Sequence, residues 1–305
     1  MKNFLNLSDA GGDAIAAMIA DAIDRKAARA GKPKGWVDAD APLAGHTLAM
    51  IFEKNSTRTR VSFDMAIRQL GGTSLILDGA TSQLGRGESI ADTARVLSRM
   101  VDAIMIRTDD PGKLTEMAEC ASVPVINGLS DDLHPCQLLA DMQTYNEHRG
   151  SVSGKRVAWI GDGNNVCNSL IFGCSKTQTK ISIATPKGFE PDPEVVKKAS
   201  KNTTVDLTTD PKSAVKDANV VMTDTFMSIH TSDSKQAEKF LPSFQVNQSL
   251  MVKAKKDAIF MHCLPAKRDQ EVTSEVIDGA QSAVWTQAEN RLHTQKALLI
   301  SLLGI

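Results

Sequence analysis

The chain has 305 residues, with 35 Lys and Arg against 36 Asp and Glu, for a formal net charge of −1 at pH 7. That length suits one large or two medium domains, and the even charge gives no basic excess for nucleic acid and no charged tail. The cysteines Cys120, Cys136, Cys167, Cys174 and Cys263 include no Cys-x-x-Cys pair, which argues against a disulfide framework and a structural zinc knuckle. The opening stretch Met1–Asp9 carries no apolar signal core. No apolar run approaches the ~18 residues needed to cross a bilayer. A cytoplasmic protein without a membrane partner is expected.

In chain order, a helical pattern over 12–30 is followed by a strand at 47–52, a helix at 57–70 and a strand at 74–78. Helices at 89–100, 111–121 and 135–149 then alternate with strands at 102–107 and 123–127. Beyond a polar, glycine-containing joint at 148–156, strands at 155–161, 179–184, 204–208 and 219–223 alternate with helices at 164–176, 192–200 and 211–217. Strands at 258–262 and 282–285 and a helix at 286–303 complete the chain, and the polar stretch 228–250 reads as a loop. Such alternation implies right-handed βαβ units with buried parallel strands. The expected fold is α/β: two doubly wound parallel-sheet lobes, 1–150 and 151–305, joined by long helices, with the last helix returning to the first lobe.

Ligands of open parallel sheets bind beyond the carboxyl ends of the strands, so the polar residues there are the candidates. In the first lobe, Ser56-Thr57-Arg58-Thr59-Arg60 turns a strand into a helix. It gathers hydroxyls, guanidiniums and unpaired helix N–H groups, the three common anion donors. The plainer reading is an N-cap followed by two solvated arginines. Arg107 ends the apolar run Ala103–Ile106, and His134-Pro135-Cys136-Gln137 opens a helix with Pro135 near its first position. His134 and Gln137 then lie one turn apart and can face one point. Together these three motifs make an anion pocket with a neutral donor pair and almost no negative charge, suited to a phosphate beside a carbonyl oxygen.

In the second lobe, Gly161-Asp162-Gly163 follows a strand, but Val166 stands where a dinucleotide fingerprint has its third glycine. No acidic residue closes the strand ending near Ala184, so nicotinamide binding is a weak alternative. Asn164 and Asn165 open the following helix, Asp224 ends another strand with Ser228 four residues on, and His262-Cys263-Leu264-Pro265 follows a third. Asp224 suits an ammonium group and Asn165 a carboxylate. Cys263 is either part of that cluster or an inert buried thiol.

Ser56-Thr-Arg-Thr, His134-Pro-Cys-Gln137, Asp224-x-x-x-Ser228 and His262-Cys-Leu-Pro265, in this order, resemble the carbamoyltransferases, and most closely the ornithine carbamoyltransferase family, from about residue 45 to the last helix. The first motif is shared with aspartate carbamoyltransferases; His-Cys-Leu-Pro discriminates between the two. The resemblance implies transfer of a carbamoyl group from carbamoyl phosphate to the δ-amine of L-ornithine, by homotrimers or stacked trimers that need no cofactor or metal. It implies that Ser56, Thr57, Arg58 and Thr59 hold the phosphate. Arg107 would bridge phosphate and carbamoyl oxygen, and His134 and Gln137 would bind the carbamoyl group. Gln83, in Ser82-Gln83-Leu84-Gly85, and Arg291, in the final helix, also reach this substrate. Asn165, Asp224 and Ser228 would hold ornithine's α-carboxylate and α-amino group, with Ile229 giving a backbone N–H. Cys263 and the backbone of Leu264 would sit beside the δ-amine and the carbamoyl phosphate. Arg58, Arg107, His134, Gln137 and Cys263 form the implied catalytic set.

One departure stands out. The family follows the Ser228 position with Met-Gly, whereas this chain has Ile229 and His230. His230 adopts positive φ less readily than glycine. Acceptors other than ornithine, such as N-acetylornithine or putrescine, are therefore the nearest alternative.

Overall fold

The computed structural model describes residues 1–226 and 237–305. The chain divides into two compact units, one of Met1–Gln143 with Glu289–Ile305 and one of Thr144–Ala288. The elements of the first are α1 (Gly12–Ala27), β1 (Thr47–Phe52), α2 (Thr57–Gln69), β2 (Thr73–Asp78), α3 (Ile90–Leu97), β3 (Ala103–Arg107), α4 (Pro111–Cys120), β4 (Val125–Leu129) and the start of α5 (Pro135–Arg149). Its four strands pair in parallel in the order β2-β1-β3-β4. The central strands are buried along nearly their whole length, as apolar runs covered on both faces require. The strand order reverses between β1 and β3, so the carboxyl ends of these two strands mark the switch point where ligands bind in such sheets.

The second unit continues with β5 (Arg156–Ile160), α6 (Asn165–Lys176), β6 (Lys180–Ala184), α7 (Pro193–Ala199), β7 (Val205–Thr208), α8 (Pro211–Val215) and β8 (Val220–Thr223). Then come α9 (Gln248–Met251), β9 (Ile259–His262), α10 (Ser274–Ile277) and α11 (Val284–Leu303). The sheet is parallel with order β7-β6-β5-β8-β9. Its order reverses between β5 and β8. There the Thr223 hydroxyl donates to the Ile160 carbonyl at 2.6 Å and ties the two strand ends together. The expected α/β architecture of parallel sheets and helices is observed.

The strand expected at 282–285 is not formed. Ser282 makes a single parallel bridge to Phe260; the Ala283 N–H donates to the Phe260 carbonyl at 2.9 Å, and the Gln287 N–H to the Ala283 carbonyl at 2.8 Å. One residue of the run is therefore in register before α11 begins and takes the rest. The four-residue helices α9 and α10 are too short for any periodic signal. Among the described residues no helix is long and apolar enough to cross a membrane.

From Glu289 onward α11 belongs to the first unit, where a buried charge network holds it. The Lys296 ammonium, fully buried, lies 2.5 Å from an Asp38 carboxylate oxygen and donates to Gln69 Oε1 at 3.2 Å. Arg29 and Arg25 reach the same carboxylate at 2.6 and 3.3 Å. Burial acts to raise the Asp38 carboxyl, but Lys296 and Arg29 outweigh it and hold it below the usual carboxylate range. Burial pushes Lys296 down from the ordinary 10.5, only partly opposed by Asp38.

Candidate active site

In the first unit, Ser56 is a true N-cap: its hydroxyl accepts from the Thr59 N–H at 3.3 Å. Thr57 and Arg58 form the first turn of α2, and Thr59 is fully buried. Arg60 goes its own way, pairing with Asp78 and lying 4.7 Å over the Phe52 ring. The plainer reading thus holds for the cap and for Arg60 but not for Arg58. Burial, and then the guanidiniums of Arg291, Arg107 and Arg58, push the His134 imidazole well below its ordinary 6.5. Three cations from α2, the end of β3 and α11 thus act on one buried, neutral imidazole at the start of α5. Arg291 Nη2 also donates to Thr59 Oγ1 at 2.6 Å, joining residues 232 positions apart.

Gln137 is fully buried; its amide donates to Asp141 Oδ1 at 2.9 Å, and among the described residues its Oε1 accepts no hydrogen bond. Asp141 and Glu53 bring more negative charge than the sequence suggests. Glu53 is committed elsewhere, accepting from the Thr108 hydroxyl at 2.5 Å and from Lys113 at 2.9 Å. Cys136 is inert: burial pushes its thiol up to about 12, and it donates to the Asn127 carbonyl at 3.3 Å. Gln83 is not gathered in. It lies exposed ahead of the turn Leu84–Arg86, and among the described residues its side chain makes no hydrogen bond.

In the second unit, Asn164 caps α6, its Oδ1 accepting from the Val166 and Cys167 N–H groups at 3.0 and 3.1 Å. Its amide donates to Asp224 Oδ2 at 2.8 Å, and the Cys263 thiol donates to Asp224 Oδ1 at 3.1 Å. Asp224 and Cys263 are therefore brought together, while Asn165 is the first helical residue beside the cap. Ser228, Ile229 and His230 lie outside the described residues. Leu264 follows with φ +59°, a left-handed backbone that a non-glycine residue rarely adopts.

The residue not foreseen is Asp162. Burial, and then the charge of Asp224, push its carboxyl up from 3.8 to about 6. The two flanking glycines have steric reasons unrelated to a dinucleotide. A Cβ on Gly163 would lie 2.2 Å from the Pro191 nitrogen, and Gly161, at φ +126°, would bring one within 3.1 Å of the Phe226 ring. Asp162→Asn is expected to raise stability at pH 7 by about 2 kcal/mol, a value discounted for partial exposure. The folded pKa lies above the unfolded one, so the strain that the amide removes is absent below about pH 4 and fully present above about pH 6. Urea unfolding midpoints at the two pH values check this; equal gains at both would contradict it.

Asp224, His262 and Cys263 also place ligand atoms within 4.8 Å of one another. These atoms are engaged already: His262 Nδ1 accepts from the Leu264 N–H at 2.9 Å, His262 Nε2 meets Glu271 Oε1 at 3.2 Å, and Cys263 donates to Asp224.

The first unit thus gathers cations round a neutral imidazole, and the second sets two carboxylates and a thiol together, donor types suited to an anion and to an ammonium group respectively. The sequence matches the family described as aspartate/ornithine carbamoyltransferase, with its carbamoyl-P binding domain over residues 2–147 and its Asp/Orn binding domain over residues 153–302. An ornithine carbamoyltransferase of Rhizorhabdus wittichii is 54% identical over 304 residues, covering 99% of this chain and 98% of its own. Among solved structures, ornithine carbamoyltransferase from Pyrococcus furiosus superposes with a TM-score of 0.93 at 47% identity, over 99% of this chain and 97% of its own. The anabolic enzyme of Campylobacter jejuni gives 0.91 at 39% identity, over 100% of both chains. The chain belongs to the aspartate/ornithine carbamoyltransferase family and, within it, to the ornithine carbamoyltransferases.

Proposed function

We propose that the chain transfers the carbamoyl group of carbamoyl phosphate to the δ-amine of L-ornithine, giving L-citrulline and phosphate, a step of arginine biosynthesis. The observation that carries this reading is the neutral His134 held among Arg58, Arg107 and Arg291. A dianionic phosphate relieves the repulsion of those three cations, and a neutral imidazole donates to a carbamoyl oxygen without adding charge. Ser56, Thr57, Thr59 and the open N–H groups of α2 complete the phosphate cradle. Gln137 Oε1 gives the carbamoyl NH₂ an acceptor. Asp224 and Asp162 support an ammonium on the acceptor, because a cation there relieves the like-charge strain that adds to burial in raising Asp162.

The δ-amine attacks as the free base, forming a C–N bond and a tetrahedral intermediate whose oxyanion is met by Arg58, Arg107 and His134. Collapse breaks the C–O bond to phosphate, and the amine's proton passes to the departing phosphate. One oxyanion donor contributes ~3–4 kcal/mol, and holding both reactants in line contributes roughly 7–11 kcal/mol. Cys263, a thiol donating to Asp224, positions the amine and forms no covalent intermediate. The acting form is a homotrimer or a stack of trimers in the cytoplasm, with Gln83 completing the cradle there. The exposed apolar Leu75 and Ile76 on the edge strand β2, and five cysteines that are all free thiols, support this reading.

Asp224→Ala is the test of the acceptor half. The KM for ornithine is expected to rise about 100-fold, the effect of losing one charge-assisted pair, while the KM for carbamoyl phosphate stays within about twofold. Unchanged ornithine saturation would show that the acceptor is held elsewhere.

A further inference from the structure

Behind the turn that carries Cys263 lies a buried pair with no part in the chemistry above. The His262 and Glu271 side chains are both fully buried and meet Nε2 to Oε1 at 3.2 Å. His262 Nδ1 accepts from the Leu264 N–H at 2.9 Å, which places the ring proton on Nε2 and makes it the donor to Glu271. Glu271 Oε1 also accepts from the Lys267 N–H at 2.6 Å, while its Oε2 has no hydrogen-bond partner among the described residues. On the other side, the His262 N–H donates to Gln287 Oε1 at 2.9 Å, fixing the end of β9. The carboxylate thus orients the imidazole, the imidazole holds the Leu264 N–H, and Leu264 is kept at φ +59°. A leucine does not keep that backbone unaided. The result is a turn that points the Cys263 thiol at Asp224, 3.1 Å away.

We infer that Glu271 is a positioning residue for the amino substrate: through the Nε2–H tautomer of His262 it fixes the Cys263–Leu264 turn against Asp224. This rests on the assignment of Asp224 and Cys263 to ornithine.

Two variants separate positioning from bulk stability. Glu271→Ala removes both acceptances. Glu271→Gln keeps an Oε1 for the His262 and Lys267 protons and puts an amide where the carboxylate has an unpartnered oxygen. Steady-state constants for both substrates are measured with the rate of Cys263 alkylation by iodoacetamide, read by peptide mass spectrometry with and without ornithine. For Glu271→Ala the KM for ornithine is expected to rise about tenfold, with the KM for carbamoyl phosphate within about twofold. Alkylation of Cys263 should quicken severalfold and lose its protection by ornithine. Glu271→Gln should restore both readouts to within about threefold of the parent. Parent-like values in Glu271→Ala, or a Gln variant as impaired as the Ala variant, would overturn the inference. Faster alkylation with ornithine saturation unmoved would uphold the clamp on the turn and overturn the placement of ornithine beside it.

Discussion

Arg58→Ala is expected to lower kcat/KM for carbamoyl phosphate by roughly 10³-fold or more while the protein stays folded. A guanidinium binding phosphate with its planar fork makes two charge-assisted bonds of about 1.5–3 kcal/mol each, and the sum converts to about 10²–10⁴ in rate. Arg58 also stands among the oxyanion donors, which places the loss toward the upper end. Stability is expected to move the other way. Arg58 is one of three cations that face one buried, neutral imidazole, so removing it lessens their mutual repulsion and leaves the unfolding midpoint at or above that of the parent. Arg58→Lys keeps the charge but not the fork and should recover only part of the activity. Full activity in Arg58→Ala, measured by phosphate release at subsaturating carbamoyl phosphate, would remove Arg58 from the cradle.

Asp38→Ala is expected to destabilise the fold by about 3–5 kcal/mol, because it leaves the Lys296 ammonium buried with Gln69 alone among its present partners. Arg29 and Arg25 lose the same carboxylate but have other acceptors, including the Trp36 carbonyl and Asp40. Lys296→Met in the Asp38→Ala background should recover most of the loss, since it replaces a stranded charge with apolar volume. The sign with pH is definite. Lys296 titrates below its unfolded 10.5 and lower still without Asp38, so the deficit is full below its folded pKa and shrinks as pH rises toward 10.5. Urea unfolding of both variants at pH 7 and pH 10 reads this; a deficit independent of pH would point to lost packing instead.

The parts of the molecule legible in the sequence are those written locally. The runs Thr47–Phe52, Ala103–Arg107 and Arg156–Ile160 are continuous and apolar because both faces of a parallel sheet are covered. The caps Ser56 and Asn164 stand at the helix starts expected of them. Arg107, His134 and Asp224 declare themselves by ending or following strands. What was hidden depends on partners remote in the chain. Nothing near Lys296 forecasts Asp38, and nothing near Glu271 shows that its oxygen will orient an imidazole. Asp162 reads as part of a glycine turn until the fold buries it and sets Asp224 nearby, which together raise its carboxyl. Ser282–Val284 has strand composition, but a single bridge is all the neighbouring strand accepts before α11 begins.

The most direct test is product formation by the purified protein with carbamoyl phosphate and one amine at a time: L-ornithine, N-acetylornithine, putrescine or L-aspartate. Carbamoylated product and released phosphate are measured in each case. Citrulline and phosphate in equal amounts with ornithine, and at most trace turnover with the other amines, is the expected result. Equal or faster turnover of another amine would overturn the acceptor assignment, and no product with any of them would contradict carbamoyl transfer itself.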